Sequence, residues 1–425
     1  MSGRRSAGLA LVDQALVSGV NCLTTVVIVR ALGLAGFGHF SILWMSVMFV
    51  LLLQQALIAT PMLSIGPKQH GQASREYYAG LLRLEGVFLG LVTLAGLALA
   101  GPISRAGGEA LTHGELAALL AAVAGRCAQD FVRQQGFARE LRSQVLVLDA
   151  LTSGLQLAGL VALGITGHMS AALALAAIAL ANAAGVAFWF AVERGVHVRG
   201  GSIARVVQRH ARMSRWLVAR VLLQWLSANA FAIAAGLSIG PAAVGAIKAG
   251  QTVMGLLHVW LLTLENVAPV RAARLVALEA WGELRAYWRR VNLGCGLATL
   301  AISALVAALP GTLARLFYGA TSPEQELVIR GFALLYLFVF VTTVLSIRLR
   351  TLEHTRPIFL AQALGAGLGT LAARPVVESF GLAGALGGMV LQQVIVCGVL
   401  LLAVRRCETE RAAQPARLAT GVAAP

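Results

Sequence analysis

The chain has 425 residues, of which 58% are apolar and only 12% charged, with a net charge of +16 and a mean hydropathy of +0.79. Soluble domains run at roughly 45–50% apolar and about 25% charged, so the composition argues against a soluble enzyme and equally against a disordered or collagen-like chain. The basic excess does not mark a nucleic-acid surface: 32 of the 34 basic residues are Arg, and most sit in short gaps between apolar runs, the pattern of positive-inside membrane topology.

A membrane-spanning helix takes about 20 apolar residues. Runs of that kind fall at 9–29, 38–61, 79–101, 113–132, 144–165, 169–192, 214–238, 243–268, 288–309, 327–347, 357–377 and 382–404. They predict an all-α polytopic membrane protein of about twelve spans. The basic start, Met1 to Arg5, is followed by a run longer than a signal-peptide core that carries Asp13. It reads as a retained first span with the N-terminus in the cytoplasm. Gaps then alternate sides. With charges in the terminal turn of a span counted with its gap, the cytoplasmic set holds 25 basic and 10 acidic residues, and the opposite set five of each. An even number of spans puts both termini inside.

The central gap, 193–213, is rich in Arg, with Ile203, Val206, Val207, His210 and Met213 at helical spacing. It predicts an amphipathic cytoplasmic linker, which either grips anionic lipid or is simply a solvated connection. It divides the chain into an N-terminal six-helix lobe, 1–192, and a C-terminal one, 214–404, with 405–425 as a disordered cytoplasmic tail. The lobes repeat weakly. Leu32-Gly33-Leu34-Ala35-Gly36-Phe37-Gly38 aligns with Ile239-Gly240-Pro241-Ala242-Ala243-Val244-Gly245 at a shift of 207, with three of seven positions identical. The same shift brings Pro61 within one residue of Pro269. Six spans per unit make this a parallel, pseudo-symmetric repeat, which predicts a pathway between the halves.

Nothing in the gaps supports catalysis. They are short, and the chain has no HExxH, no phosphate-binding GxxxxGK[ST], no GxSxG elbow and no metal-spaced Cys/His set. Neither enzyme activity, cofactor nor metal is expected. The five cysteines, Cys22, Cys127, Cys295, Cys397 and Cys407, form no CxxC and read as small packing residues. Gly365, Gly367 and Gly369, and the pairs Gly86/Gly90 and Gly236/Gly240, read as close helix-packing surfaces.

Polar residues inside spans are costly and commonly face a cavity. Gln14, Ser18, Asn21 and Thr25 form one face of span 1, with Asp13 at its start and Arg30 at its end. Span 2 ends on Gln54 and Gln55; span 7 carries Arg220, Gln224 and Ser227; span 8 carries Lys248, Gln251, Thr252, His258 and Glu265. Arg30, Arg220 and Lys248 are the candidate cavity cations, suited to a phosphate or diphosphate. Asp13 and Glu265 are the candidate coupling carboxylates. Gln14, Ser18, Asn21, Thr25, Gln54, Gln55, Gln224, Gln251 and Thr252 are the candidate lining. Plainer readings stand beside these. Arg30, Arg220 and Lys248 lie within reach of an interface and can snorkel. Arg83 and Glu85 can be interfacial, Arg126 and Asp130 can neutralise each other, His258 can be a bonded core residue, and Asp13 can pair with a cation.

Asp13-Gln14-Ala15 leading to Asn21, then Val29-Arg30-Ala31-Leu32-Gly33 and Phe37-Gly38, resembles the opening of the bacterial polysaccharide and O-antigen exporters. These are the Wzx-like flippases of the multidrug/oligosaccharidyl-lipid/polysaccharide (MOP) superfamily. Gln54 to Ile58 with Pro61-Met62 and Ser64-Ile65-Gly66-Pro67, and later Trp216 to Trp225, Val244-Gly245-Ala246 with Gln251, and Leu264-Glu265-Asn266-Val267 with Pro269, are similar to the same family. The resemblance implies a twelve-helix, two-lobed, V-shaped transporter of an undecaprenyl-diphosphate-linked oligosaccharide for lipopolysaccharide, O-antigen or exopolysaccharide export. It implies membrane lipids and polysaccharide polymerase machinery as partners, and no nucleic acid. By position Arg30 and Lys248 take the diphosphate, as basic cavity residues do in lipid II flippases. Those flippases can carry two additional helices that this chain lacks. The alternative is a cation-coupled multidrug (MATE-like) antiporter.

Overall fold

A computed structural model describes residues 2–107, 111–193 and 201–420, with side chains from residue 18 to 409 apart from those at 100, 102–110, 194–200, 256 and 266–267. In chain order the helices are α1 (Ser2–Gln54), a π-helical turn (Gln55–Ala59), α2 (Thr60–Ile65), a 3-10 turn (Gly66–Lys68), α3 (Gly71–Gly107), α4 (His113–Ala138), α5 (Arg142–Ile165) and α6 (Ala171–Val192). Then follow α7 (Ile203–Ser238), α8 (Pro241–Val253), α9 (Gly255–Ala277), α10 (Trp281–Ala308), α11 (Pro310–Tyr318), α12 (Pro323–Thr351) and α13 (Arg356–Thr420). Among the described residues there is no strand, so the chain is the expected all-α polytopic protein.

Eight helical stretches are long and apolar enough to cross a membrane, nine with the α8–α9 pair that breaks at Met254. Two of the eight, 51 and 54 residues long, each carry a non-helical glycine, Gly33 and Gly381. Each is long enough for two crossings. The 26-residue α4 stands apart only because Glu115, Arg126, Asp130 and Arg133 lower its hydropathy. Counting both arms of each broken helix, the α8–α9 pair and α4, every one of the twelve expected spans has its helix.

Local chemistry sets the boundaries. Thr112 accepts from the Glu115 N–H at 3.2 Å while the Glu115 carboxylate accepts from the Thr112 N–H at 3.0 Å, a reciprocal cap that starts α4. The other oxygen of Glu115 meets His39 Nε2 at 2.8 Å and ties α4 to α1. Ser170 and Ser322 cap α6 and α12. Helices α4, α9 and α12 end alike, each on a glutamate with positive φ: Glu140, Glu279 and Glu353. The next N–H reaches back five residues each time, from Leu141 to Gly136, Ala280 to Leu275 and His354 to Leu349.

Two compact units divide the chain: Met1–Trp225 with Gly240–Lys248, and Leu226–Ile239 with Ala249–Pro425. In the first, Ile58, Met62, Tyr77, Leu81, Phe131, Leu148, Trp189 and Val206 make one apolar core. In the second, Leu261, Ala268, Ala272, Trp288 and Ile347 form one cluster, and Leu349, Ala361, Val396, Leu400, Val404 and Cys407 another. α13 runs from Arg356 to Thr420, and Cys407 on it is buried. The expected linker is helical from Ile203, where it is the first part of α7, and the stretch with Arg194 and Arg199 lies outside the described residues.

The internal repeat is built into the backbone of the first unit. Gly33 has φ +68 and its partner in the repeat, Gly240, has φ +118, conformations that L side chains rarely adopt. Beyond these breaks the two glycines that end the motif face each other. A Cβ on Gly38 would overlap the Pro241 carbonyl, and a Cβ on Gly245 would overlap the Leu34 carbonyl. Leu34 and Pro241 are themselves 207 apart, as are Gly38 and Gly245, so the crossing is reciprocal and obeys the sequence shift. The other glycine expectations divide. Gly365 and Gly369 pack on Val396 and Gln392, whereas a Cβ on Gly86, Gly90, Gly240 or Gly367 meets nothing within 4 Å. Those four are not packing surfaces.

Candidate functional site

The polar residues of the first unit gather into a buried network around the end of α1. The π-helical turn at Gln55–Ala59 widens the helix there, a local feature often found at functional positions. It sends two consecutive glutamines to two carboxylates. Gln54 Nε2 donates to Glu85 Oε2 at 3.2 Å, and Gln55 Nε2 donates to Asp130 Oδ2 at 3.2 Å. Asp130 also accepts from Gln134 at 3.5 Å. Also on α4, Arg133 Nε meets Asp149 Oδ2 at 2.6 Å and Gln129 Nε2 donates to Asp149 Oδ1 at 3.0 Å. Glu85, Asp130 and Asp149 are all buried. Asp149→Ala leaves the Arg133 charge without that carboxylate, and removing one partner of a buried pair costs about 3 kcal/mol. The expected result is a clear fall in the melting temperature of the detergent-purified protein, with Asp149→Glu recovering part of it.

This network corrects several expectations. Gln54 is fully buried and bound to Glu85, so it lines no cavity. Gln55 is half-buried against Asp130. Glu85 is inside the unit rather than interfacial. Arg126 does not neutralise Asp130: it donates to Gln129 Oε1 at 3.0 Å. Arg83 donates to the Gly201 carbonyl at 3.2 Å. Asp149, Gln129 and Arg133 lie outside the polar faces read from the sequence, although an Asp in the middle of an apolar run is a signal for them.

A second polar junction follows from Pro61. Proline has no N–H to return to the carbonyl four residues back, which frees the oxygen of Leu57. Two side chains of α7 take it: His210 Nδ1 at 3.1 Å and Ser214 Oγ at 3.2 Å. Since a carbonyl only accepts, His210 Nδ1 carries the proton, and Tyr77 O–H donates to Nε2 at 2.8 Å. His210→Phe keeps the bulk but loses both bonds. The expected loss is about 1–2 kcal/mol, read as a lower melting temperature, and Ser214→Ala in the same chain deepens it.

The candidate cavity residues lie elsewhere. The side chains of Asp13 and Gln14 are outside the described residues. Ser18 and Thr25 are half-buried and Asn21 exposed, so this face of α1 is not covered by the unit; Thr25 Oγ1 donates to the Asn21 carbonyl at 3.1 Å. The covered threonine is its neighbour Thr24, which accepts from Gln156 on α5 at 2.9 Å. Arg30 is exposed, eight residues before Gly38; Lys248 is half-buried, three residues after Gly245. Both belong to the first unit. Arg220 and Gln224 are exposed on α7, in the same unit. In the second unit Gln251 and Thr252 are half-buried and His258 is exposed. Ser227 accepts from Gln392 at 2.6 Å, and Gln393 donates to Thr342 at 2.6 Å; these two glutamines of α13 also lie outside the polar faces read from the sequence. Glu265 is already paired, with Arg350 at 3.1 Å. Among the described residues no three His, Cys, Asp or Glu side chains converge as metal ligands.

The fold is similar to those of solved membrane transporters. An inward-facing multidrug resistance MATE family transporter of the MOP superfamily matches over 93% of this chain and 95% of its own, with a TM-score of 0.72 at 13% identity. The lipid II flippase MurJ in an inward closed conformation matches over 93% of this chain and 87% of its own, with a TM-score of 0.74 at 8% identity. A MOP superfamily transporter from Pyrococcus furiosus, whose binding pocket of reverse polarity suggests a different function, matches over 94% of each chain at 0.58 and 13% identity. No protein family profile and no curated protein sequence matches the chain. At these identities the likeness establishes the fold, a multi-pass membrane fold of the MOP type.

Proposed function

We propose that the protein is an inner-membrane flippase that moves a polyprenyl-diphosphate-linked oligosaccharide, a precursor of surface or exported polysaccharide, by alternating access. The fold is common to drug antiporters and a lipid flippase, so the choice rests on charge. The observation that carries it is the pairing of Glu265 with Arg350. That pair occupies one of the two carboxylates a cation antiporter would use in these helices, and the same set of helices carries the cationic Arg30, Arg220 and Lys248. Guanidinium and ammonium groups in a site of low dielectric favour a diphosphate over a cationic drug. With the basic gaps inside, both termini are cytoplasmic and the cargo leaves the cytoplasmic leaflet. The carrier needs no cofactor; its partners are the glycolipid, the surrounding lipids and the polysaccharide polymerase machinery.

The buried Glu85 and Asp130 favour a second reading, the cation-coupled antiporter, because carboxylates shut inside a membrane helix bundle are typical of ion coupling. Purified protein in liposomes separates the two. The flippase reading expects a fluorescent polyprenyl-diphosphate oligosaccharide to change leaflets with no efflux of a cationic dye. Dye efflux driven by an ion gradient, without glycolipid movement, overturns it.

A further inference from the structure

The continuity of α7 fixes a feature that two separate segments would have left undefined. Arg205, Arg209, Arg212, Trp216 and Arg220 follow one another at spacings of 4, 3, 4 and 4. On an uninterrupted helix they lie within an arc of about 80° and extend over about 22 Å. The rotation of the helix is pinned from the other side. Val206, His210 and Ser214 are buried, and the last two hold the Leu57 carbonyl. The arginine face is therefore turned outward: all five residues are exposed, Trp216 to 70% and the Arg205 side chain to 81%. The 36 residues of α7 include five arginines and no acidic residue. The neighbouring elements answer only in part, with Glu76 at 3.8 Å from Arg205 and Gln69 accepting from Arg209 at 3.1 Å. Arg215, off the stripe, lies over the Trp216 ring at 5.5 Å.

Length decides what such a face can hold. Residues 221–238 of α7 carry no charge, and 18 residues of helix cover about 27 Å, close to the hydrocarbon thickness of about 30 Å. Arg220 thus stands at the edge of the hydrocarbon. The headgroup layer on one side of a bilayer is only about 5–8 Å deep. Phospholipid phosphates reach Arg220 and little further, so Arg212, Arg209 and Arg205 stand beyond them, in water. A ligand that matches the whole face is tethered at the membrane by a lipid phosphate and projects along the helix with negative charge on its length.

We propose that the Arg205–Arg209–Arg212–Trp216–Arg220 face of α7 is a docking track for the acidic oligosaccharide of a membrane-anchored glycolipid, with guanidinium groups pairing with its carboxylates or phosphates and the Trp216 ring stacking on a sugar. This rests on the glycolipid reading above and adds the substrate class: an acidic glycan rather than a neutral one. Each guanidinium–carboxylate pair on an exposed face contributes little alone, so discrimination comes from the repeated match along the stripe.

The test uses the full chain in nanodiscs of phosphatidylcholine, titrated with an acidic probe, oligogalacturonate, and a neutral one, maltooligosaccharide. Oligogalacturonate is expected to bind and to weaken with salt, and maltooligosaccharide to leave no signal. Arg209→Gln with Arg212→Gln is expected to weaken the acidic probe about tenfold, equivalent to about 1.4 kcal/mol. Arg212→Glu alone, at an exposed position, gives the same direction and guards against a folding effect at Arg209. Equal binding of the two probes, or an undiminished affinity in both variants, overturns the proposal. So does a wild type that ignores oligogalacturonate but retains phosphatidylglycerol through these arginines, since the face is then a phospholipid anchor. Binding that survives while liposome transport fails would instead count against the flippase reading and leave the track standing.

Discussion

Placing a methyl group on Gly38 or Gly245 is expected to disrupt the first unit, while the same change at Gly86 is expected to leave it intact. At the crossing the obstacle is backbone carbonyl, Pro241 for one glycine and Leu34 for the other. Neither can rotate aside as a side chain can, so α1 and α8 must separate. Overpacking commonly costs about 1–3 kcal/mol, and here two backbones must move. Gly38→Ala and Gly245→Ala should each lower the melting temperature of the purified protein and broaden its elution in detergent; leucine at either site should prevent recovery of folded protein. Gly86→Ala meets nothing within 4 Å and gains helix propensity of about 0.5–1 kcal/mol. Equal behaviour of the three alanine variants would mean that the helices do not cross at these glycines.

The second large effect concerns function. Arg30→Ala with Lys248→Ala is expected to abolish glycolipid movement while the protein remains folded in the membrane. The buried core of the first unit makes its polar contacts through Gln54, Glu85, Asp130 and Asp149. The melting temperature should therefore stay near that of the wild type while transport is lost. Substitution by lysine and arginine respectively, which keeps the charge, should restore part of it, and less at Arg30 if the guanidinium fork is used to grip a diphosphate. Normal transport in the double alanine variant would remove these residues from the site.

Much of the fold was legible because a membrane imposes a coarse rule, about 20 apolar residues per crossing, that even a glycine- and alanine-rich chain obeys. The expected spans have their helices, and the motif shared by 32–38 and 239–245 meets itself where Gly38 and Gly245 cross. What was hidden lies at finer scale. Hydropathy cannot tell that residues 203–213 continue into span 7, because an amphipathic stretch and a spanning stretch are both helical and nothing between Met213 and Ser214 breaks the chain. It also cannot tell which side of a helix meets protein and which meets lipid. Gln54 was expected beside a cavity and is locked onto Glu85; Thr24, one residue off the expected polar face, is the threonine that packs. The π-helical turn at Gln55–Ala59 shifts the side chains that follow it by a fraction of a turn, a displacement that a fixed period of 3.6 residues does not contain. The glycines show the same limit: Gly38 and Gly86 look alike in sequence, and only the approach of Pro241 separates them.

The most direct test of the account is the rate at which a fluorescent polyprenyl-diphosphate oligosaccharide changes leaflets in liposomes holding the purified protein, measured by its loss to a membrane-impermeant quencher. Movement well above that in protein-free liposomes, lost in the Arg30→Ala, Lys248→Ala protein and undiminished by a cationic dye, is the predicted result. Exchange no faster than in protein-free liposomes, from a preparation that expels the dye along an ion gradient, would contradict it.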